Sequence, residues 1–118
     1  MEIFKSFTFE AAHMLPHVAD NHKCKRLHGH SFHVTVYVSG PVKDRSGWVM
    51  DFGDIKQACE PIYQALDHRY LNDIPGLENP TSEHIARWIW VKLLPDLPML
   101  NKVEVRETCT SGCVYQGE

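Results

Sequence analysis

No stretch of this 118-residue chain approaches the ~20 consecutive apolar residues that a bilayer-crossing helix needs. The first residues, MEIFKSFTFE, lack a basic segment followed by an apolar one, so no secretory leader is read there. Both absences point to the cytosol, where Cys24, Cys59, Cys109 and Cys113 are expected to be reduced thiols. Positive charge is not in excess. Twelve Lys and Arg against 15 Asp and Glu give a formal net charge of −3, which leaves no electrostatic footprint for nucleic acid. The G-x-G-x-x-G fingerprint of a dinucleotide site is missing. So are internal repeats, linkers and low-complexity segments. With 43% hydrophobic and 23% charged residues, the composition is that of one globular domain over residues 1–118.

What is present is patterned. IFKSFTFEAAH alternates, placing Ile3, Phe7, Phe9, Ala11 and His13 on one face of a strand. HGHSFHVTVYVSG predicts a second strand, in which His28, His30, Phe32, Val34 and Val36 share a face because side chains alternate with period two. Residues 14–27 between them read as loop. Asp51 is placed to cap a helix running to about Leu66, with Phe52, Ile55, Cys59, Ile62 and Leu66 as its apolar stripe and a kink at Pro61. Asn79 as cap and Pro80 at the first helical position predict a second helix to about Leu94, buried through Ile85, Trp88, Ile89 and Leu93. KVEVRETCT and GCVYQ read as two short strands joined at Ser111-Gly112. The order defines an α+β domain, an antiparallel four-stranded sheet with two helices between strands two and three on one face. Four strands do not close a barrel, so two edges stay open. An oligomer that pairs them removes that liability.

CKRLHGH, residues 24–30, concentrates the chemistry. His28 and His30 project from the same side of a strand, roughly 6.5–7 Å apart at the backbone, and His13 ends the neighbouring strand. Three neutral imidazoles suit zinc and leave a fourth position open, the mark of a catalytic site. His33 projects from the other side, and HGHSFH lacks the aspartate of an H-x-H-x-D-H hydrolase motif. Cys24 has two readings. It is a fourth ligand that closes a structural site, or a free thiolate beside the metal, its pKa lowered by Lys23, Lys25 or Arg26. Those three cations are themselves either a solvated loop or an attraction for an anionic substrate.

LDHRY adds Asp67 and His68, a carboxylate able to orient an imidazole for proton transfer. Adjacent side chains diverge in regular structure, so the pair requires an irregular turn. The plainer alternative is a histidine at a helix end, near its dipole. Glu107, in RETCT, is either a surface carboxylate or an acceptor for a guanidine-like or amide edge of a substrate. Cys109 and Cys113 flank a turn with no second ligand pair beside them, and Cys59 reads as a small buried hydrophobe.

Together FTFEAAH, CKRLHGHSF, MDFGDIK, LDHRYLNDIPGLENPTSE and ETCTSGCVY cover nearly the whole chain, and they resemble the 6-pyruvoyltetrahydropterin synthase family. The spacing of Cys24 from H-G-H is similar to that of the family's carboxy-forming branch in 7-deazaguanine (queuosine) biosynthesis. The resemblance implies the tunnelling fold (T-fold), with trimers whose sheets form a barrel and two trimers stacked as a hexamer. It implies His13, His28 and His30 as zinc ligands, and Cys24, Asp67 and His68 as the catalytic set in sites formed between subunits. Glu107 becomes the anchor of a pterin, with Thr81 and Ser82 assisting. The implied reaction converts 7,8-dihydroneopterin triphosphate to 6-carboxy-5,6,7,8-tetrahydropterin, releasing acetaldehyde and triphosphate. Its redox change is internal to the substrate, which fits the missing dinucleotide motif. Two other readings stay open at this point: a pyruvoyl-forming synthase that keeps the side-chain carbons, and a zinc-stabilised binding module without catalysis.

Overall fold

The computed structural model of the chain describes residues 1–118. Its two longest strands are those the alternation predicts. β1 (Glu2–His13) and β2 (His28–Ser39) pair antiparallel over their whole length, from Glu2 opposite Ser39 to His13 opposite His28. One face of this ribbon is apolar, and Phe9, Phe32, Val34, Val36 and Val38 have no exposed surface. Burying each such side chain contributes about 1.5–3 kcal/mol. A slip of one residue would turn the whole set to water, so the core fixes the register.

The helices cover that face. Asp51 caps α1 (Phe52–Leu66), its carboxylate accepting the Gly53 N–H at 2.8 Å. Ile55, Cys59, Ile62 and Leu66 are buried as expected, whereas Phe52, at the first helical position, is 54% exposed. The helix runs unbroken through Pro61, which sits on its exposed side. α2 (Ser82–Leu93) begins at Ser82, not at Pro80. Its cap is Thr81, whose hydroxyl accepts the His84 N–H at 3.2 Å. A helical Pro80 would commit its carbonyl to the helix ladder. Here that carbonyl accepts a hydrogen bond from His13 Nδ1–H instead. Ile85, Ala86, Ile89 and Leu93 form the buried stripe of α2, and Trp88 is half-buried.

The sheet has five strands where the pattern predicts four. β3 (Arg69–Tyr70) is only two residues long and pairs parallel to β1 at Ala11 and Ala12. A strand that short has no periodicity to read. β4 (Leu100–Thr108) and β5 (Ser111–Tyr115) complete the order β3-β1-β2-β4-β5. Their turn lies at Cys109-Thr110 and not at Ser111-Gly112, since Thr108 pairs with Ser111. Gly112 serves a close approach inside β5: a Cβ there would lie 2.6 Å from the Val105 carbonyl oxygen. The sheet stays open. β5 ends it on one side, and on the other β1 is paired to β3 only at Ala11 and Ala12. All four cysteines are free, and burial pushes the Cys59 thiol up to about 11, which makes it an inert core residue.

Phe32 joins this core to the polar end of the sheet. It stacks on Phe9 with centroids 4.9 Å apart, and it meets the rings of His13 and His30 edge-on at 5.4 Å each. Phe32→Ala should cost about 3–5 kcal/mol of stability. Urea denaturation measures it, and a loss under ~1 kcal/mol would show that the site end of the core repacks freely.

Candidate active site

The β1–β2 register brings the histidines together. His13 lies directly opposite His28, and His30 is two residues along on the same face. Their ligand-bearing atoms all lie within 4.8 Å of one another, an arrangement that could hold a metal ion. The ring centroids are 4.5 Å (His13–His28), 4.9 Å (His28–His30) and 5.2 Å (His13–His30) apart.

The hydrogen bonds set the tautomers. His13 Nδ1 lies 2.9 Å from the Pro80 carbonyl oxygen, and His28 Nδ1 lies 2.7 Å from that of Arg26. A carbonyl only accepts, so each Nδ1 carries the proton and each Nε2 presents a lone pair. Both Nε2 atoms are buried without a hydrogen-bond partner. Leaving such a group unsatisfied costs about 1–3 kcal/mol. A cation at the convergence point resolves both at once, and a backbone acceptor behind a ligating imidazole is the usual outer support of a metal site. Burial is also the main cause that lowers the His13 pKa, which keeps this imidazole neutral as a ligand must be. The three residues therefore fit a divalent metal of the zinc type.

Asp67 and His68 meet through backbone strain. Asp67 ends α1, and His68 adopts φ 57°, the only non-glycine residue in the left-handed region. That conformation turns two adjacent side chains onto one another, so His68 Nδ1 lies 2.7 Å from Asp67 Oδ2. The irregular turn that the sequence requires is this one residue. Glu10 fixes the pair to β1: its N–H donates to Asp67 Oδ1 at 2.9 Å, and its carbonyl accepts the His68 N–H at 2.6 Å. The His68 side chain is 79% exposed. It borders an open groove of about 590 Å³ that is also lined by His30, Glu10, Ser31, Arg69 and Tyr70.

The other expected residues are spread around this end of the sheet. Glu107, near the end of β4, is half-buried and carries its carboxylate 3.8 Å from His30 Nε2. Cys24 sits in a one-turn 3-10 helix, Lys23–Cys24–Lys25, inside the segment the sequence reads as loop. Its N–H donates to His22 Nδ1 at 3.0 Å and its carbonyl accepts the Leu15 N–H at 2.8 Å. The half-buried thiol is not one of the atoms of the histidine cluster. Lys25 is tied down, 2.7 Å from the Pro16 carbonyl oxygen and 3.5 Å from Asp20. Thr81 and Ser82 are the cap and first residue of α2. Sequence reasoning missed the two carbonyls, of Pro80 and Arg26, that set the histidine tautomers, and the Glu10 backbone that holds the dyad. Backbone groups have no side-chain signature, so no residue pattern announces them.

Residues 2–118 match the 6-pyruvoyl tetrahydropterin synthase family. A 6-carboxy-5,6,7,8-tetrahydropterin synthase from Synechocystis is 51% identical over 119 aligned residues, covering 96% of this chain and 91% of the relative. A dihydroneopterin monophosphate aldolase from Pyrococcus furiosus is 40% identical over 77% of this chain and 73% of its own. Among solved structures, the 6-pyruvoyl tetrahydropterin synthase of Caenorhabditis elegans matches with a TM-score of 0.92 at 28% identity, over 100% of this chain and 96% of that one.

The Glu10 N–H foremost, then His68 and Tyr63, hold the Asp67 carboxyl below its ordinary value of 3.8. A depressed folded pKa contributes stability that is present above the unfolded value and lost as pH falls through the folded one. Asp67→Asn removes that charge at every pH. The stability gap between wild type and Asp67→Asn should be widest near neutrality and close as pH drops below 3.8. Urea titrations at pH 7 and pH 3 measure it, and a gap of constant size would show that the carboxylate gains nothing from its partners.

Proposed function

This chain belongs to the 6-pyruvoyl tetrahydropterin synthase family, is an enzyme of that family and has its tunnelling-fold architecture, and on that premise we propose that it converts 7,8-dihydroneopterin triphosphate to 6-carboxy-5,6,7,8-tetrahydropterin with release of acetaldehyde and triphosphate. The choice of the carboxy-forming reaction is supported by the 51% identity to the Synechocystis enzyme of that name. The observation that carries the metal-dependent chemistry is the pair of buried, unpartnered Nε2 atoms on His13 and His28, beside His30.

In this reading His13, His28 and His30 hold zinc. What zinc supplies when bound is Lewis acidity toward the hydroxyl and carbonyl oxygens of the substrate side chain. The rest is the work of the chain. Asp67 orients His68 and stabilises its imidazolium, so that Nε2 of this exposed ring can exchange a proton with the substrate. Cys24 is the second proton-transfer group. As a thiolate it takes a proton from carbon or oxygen, and as a thiol it returns one. Glu107 accepts two hydrogen bonds from the amino and amide N–H groups of the pterin ring. The Thr81 oxygen already accepts from His84, which leaves its O–H free to donate, with Ser82 next to it. The open sheet edges support association of copies into trimeric barrels and a hexamer, with sites completed between subunits.

A second reading, the pyruvoyl-forming reaction, is favoured by the close backbone match to the Caenorhabditis elegans synthase. Product analysis separates the two: incubation with dihydroneopterin triphosphate yields acetaldehyde in the first case and none in the second.

Two variants compared on metal content and activity test the division of labour. His28→Ala should lose zinc and turnover together. Cys24→Ala should keep about one zinc per chain while acetaldehyde release falls at least ~100-fold, in line with loss of a proton-transfer group. Zinc lost from Cys24→Ala would make Cys24 a ligand, and full activity would remove it from the mechanism.

Glu107→Gln exchanges an acceptor oxygen for a donor. It should weaken pterin binding by about 1.5–3 kcal/mol, the scale of a charge-assisted hydrogen bond, with zinc retained. Fluorescence titration with a pterin reads this, and unchanged affinity would free Glu107 from the role.

A further inference from the structure

The dyad and the first histidine ligand are both attached to the last residues of β1, and a single side chain closes that attachment. β1 and β3 run parallel with Ala11 opposite Arg69 and Ala12 opposite Tyr70. Continued in step, that register places His13 beside Leu71 and Met14 beside Asn72. Backbone pairing stops before this point, because the chain turns into a 3-10 helix at Leu71–Asp73. The Asn72 side chain replaces it. Its Oδ1 accepts the Met14 N–H at 3.0 Å, and its Nδ2 donates to the Met14 carbonyl at 2.8 Å. The same Nδ2 lies 3.4 Å from the carbonyl oxygen of Glu78.

His13 thus sits inside a frame that Asn72 touches on two sides. Met14 is its chain neighbour, and Glu78 opens the short segment that ends at Pro80, whose carbonyl holds His13 Nδ1. At the other end of the same parallel seam, Glu10 holds Asp67 and His68. Segment 67–72 is therefore fastened to segment 10–14 by its two ends, with the dyad at one and the ligand at the other. A primary amide suits the position because it has a donor and an acceptor side by side, matching the N–H and C=O of one extended residue. An apolar side chain of similar size leaves both Met14 groups and the Glu78 carbonyl without this partner.

We infer that Asn72 is a positioning residue of the active site: its amide fixes His13 for metal binding and sets the spacing between that ligand and the Asp67–His68 dyad. This rests on the proposal that His13, His28 and His30 hold zinc. Asn72 touches neither substrate nor metal and acts through Met14 and the 78–80 segment. Loss of such support weakens metal binding about 10- to 100-fold. A small displacement of the reacting groups lowers turnover without changing what the substrate touches on binding.

The test is Asn72→Leu in the full-length zinc-loaded protein, with Asn72→Ala as a second variant should the first fail to fold. Zinc release to an excess of a chromogenic chelator should be at least about 10-fold faster than in wild type. At saturating zinc, kcat should fall about 10-fold or more with KM within about twofold. A purely structural role would lower the unfolding midpoint of the metal-free protein and leave both readouts at wild-type values, and that result overturns the inference. His13→Ala, run in parallel, separates the premise from the inference. Wild-type zinc content in His13→Ala would mean that the metal assignment itself has failed. Loss of zinc there, with wild-type release from Asn72→Leu, would mean that only the role of Asn72 has failed.

Discussion

His13 and His28 face one another across two strands, and each donates its Nδ1 proton to a backbone carbonyl. Two Nε2 lone pairs are left pointing into a buried space with nothing to receive them. The large majority of buried polar groups in proteins have a hydrogen-bond partner, and each exception calls for an explanation. The arrangement opposes stability in the metal-free chain and favours a cation, and the local structure around it is organised to keep those two atoms in place.

That organisation draws on β1, β2, the start of α2 and the turn after α1. The apolar face of β1 and β2 sets the register that puts His13 opposite His28. Phe32 lies flat on Phe9 and meets the two imidazoles of His13 and His30 in T-shaped contacts, so core packing and the geometry of the histidine cluster share one ring. The start of α2 is displaced to Ser82 so that the Pro80 carbonyl can serve His13. Strain at His68 is held by hydrogen bonds to Glu10 on the same β1 strand. A left-handed histidine costs of order 1–3 kcal/mol, and it persists because the neighbouring strand over-determines its position. The Asp67–His68 pair and the histidine cluster are thus referred to one rigid reference, the C-terminal half of β1.

Much of this was legible residue by residue. Alternation predicts β1 and β2 and the face their histidines share, because a strand places every second side chain on one side whatever surrounds it. Asp51 marks the start of α1 because a carboxylate in that position bonds to the first free N–H groups within its own turn. The errors lie where a local signal was claimed by a distant partner. Asn79-Pro80 has the form of a helix start, but the Pro80 carbonyl goes to His13, sixty-seven residues away. Gly112 has the form of a turn residue, but it is needed where β5 passes close to Val105. β3 gave no signal, being a two-residue strand that exists only because β1 is beside it.

The sequence by itself determined which side chains are able to ligate a metal, the faces of the strands and the presence of a carboxylate next to a histidine, since these depend on side-chain chemistry and on periods of two and 3.6. Tertiary structure decided which nitrogen of His13 and of His28 is free, how close the three imidazoles come, and whether Asp67 and His68 meet at all. It also decided that Cys24 lies outside the histidine cluster. Tautomers are set by the Pro80 and Arg26 carbonyls, and the dyad by a left-handed turn fastened to Glu10. These are contacts between backbone groups and side chains brought together by packing, and backbone atoms are the same at every position, so no residue pattern encodes which of them a side chain will find.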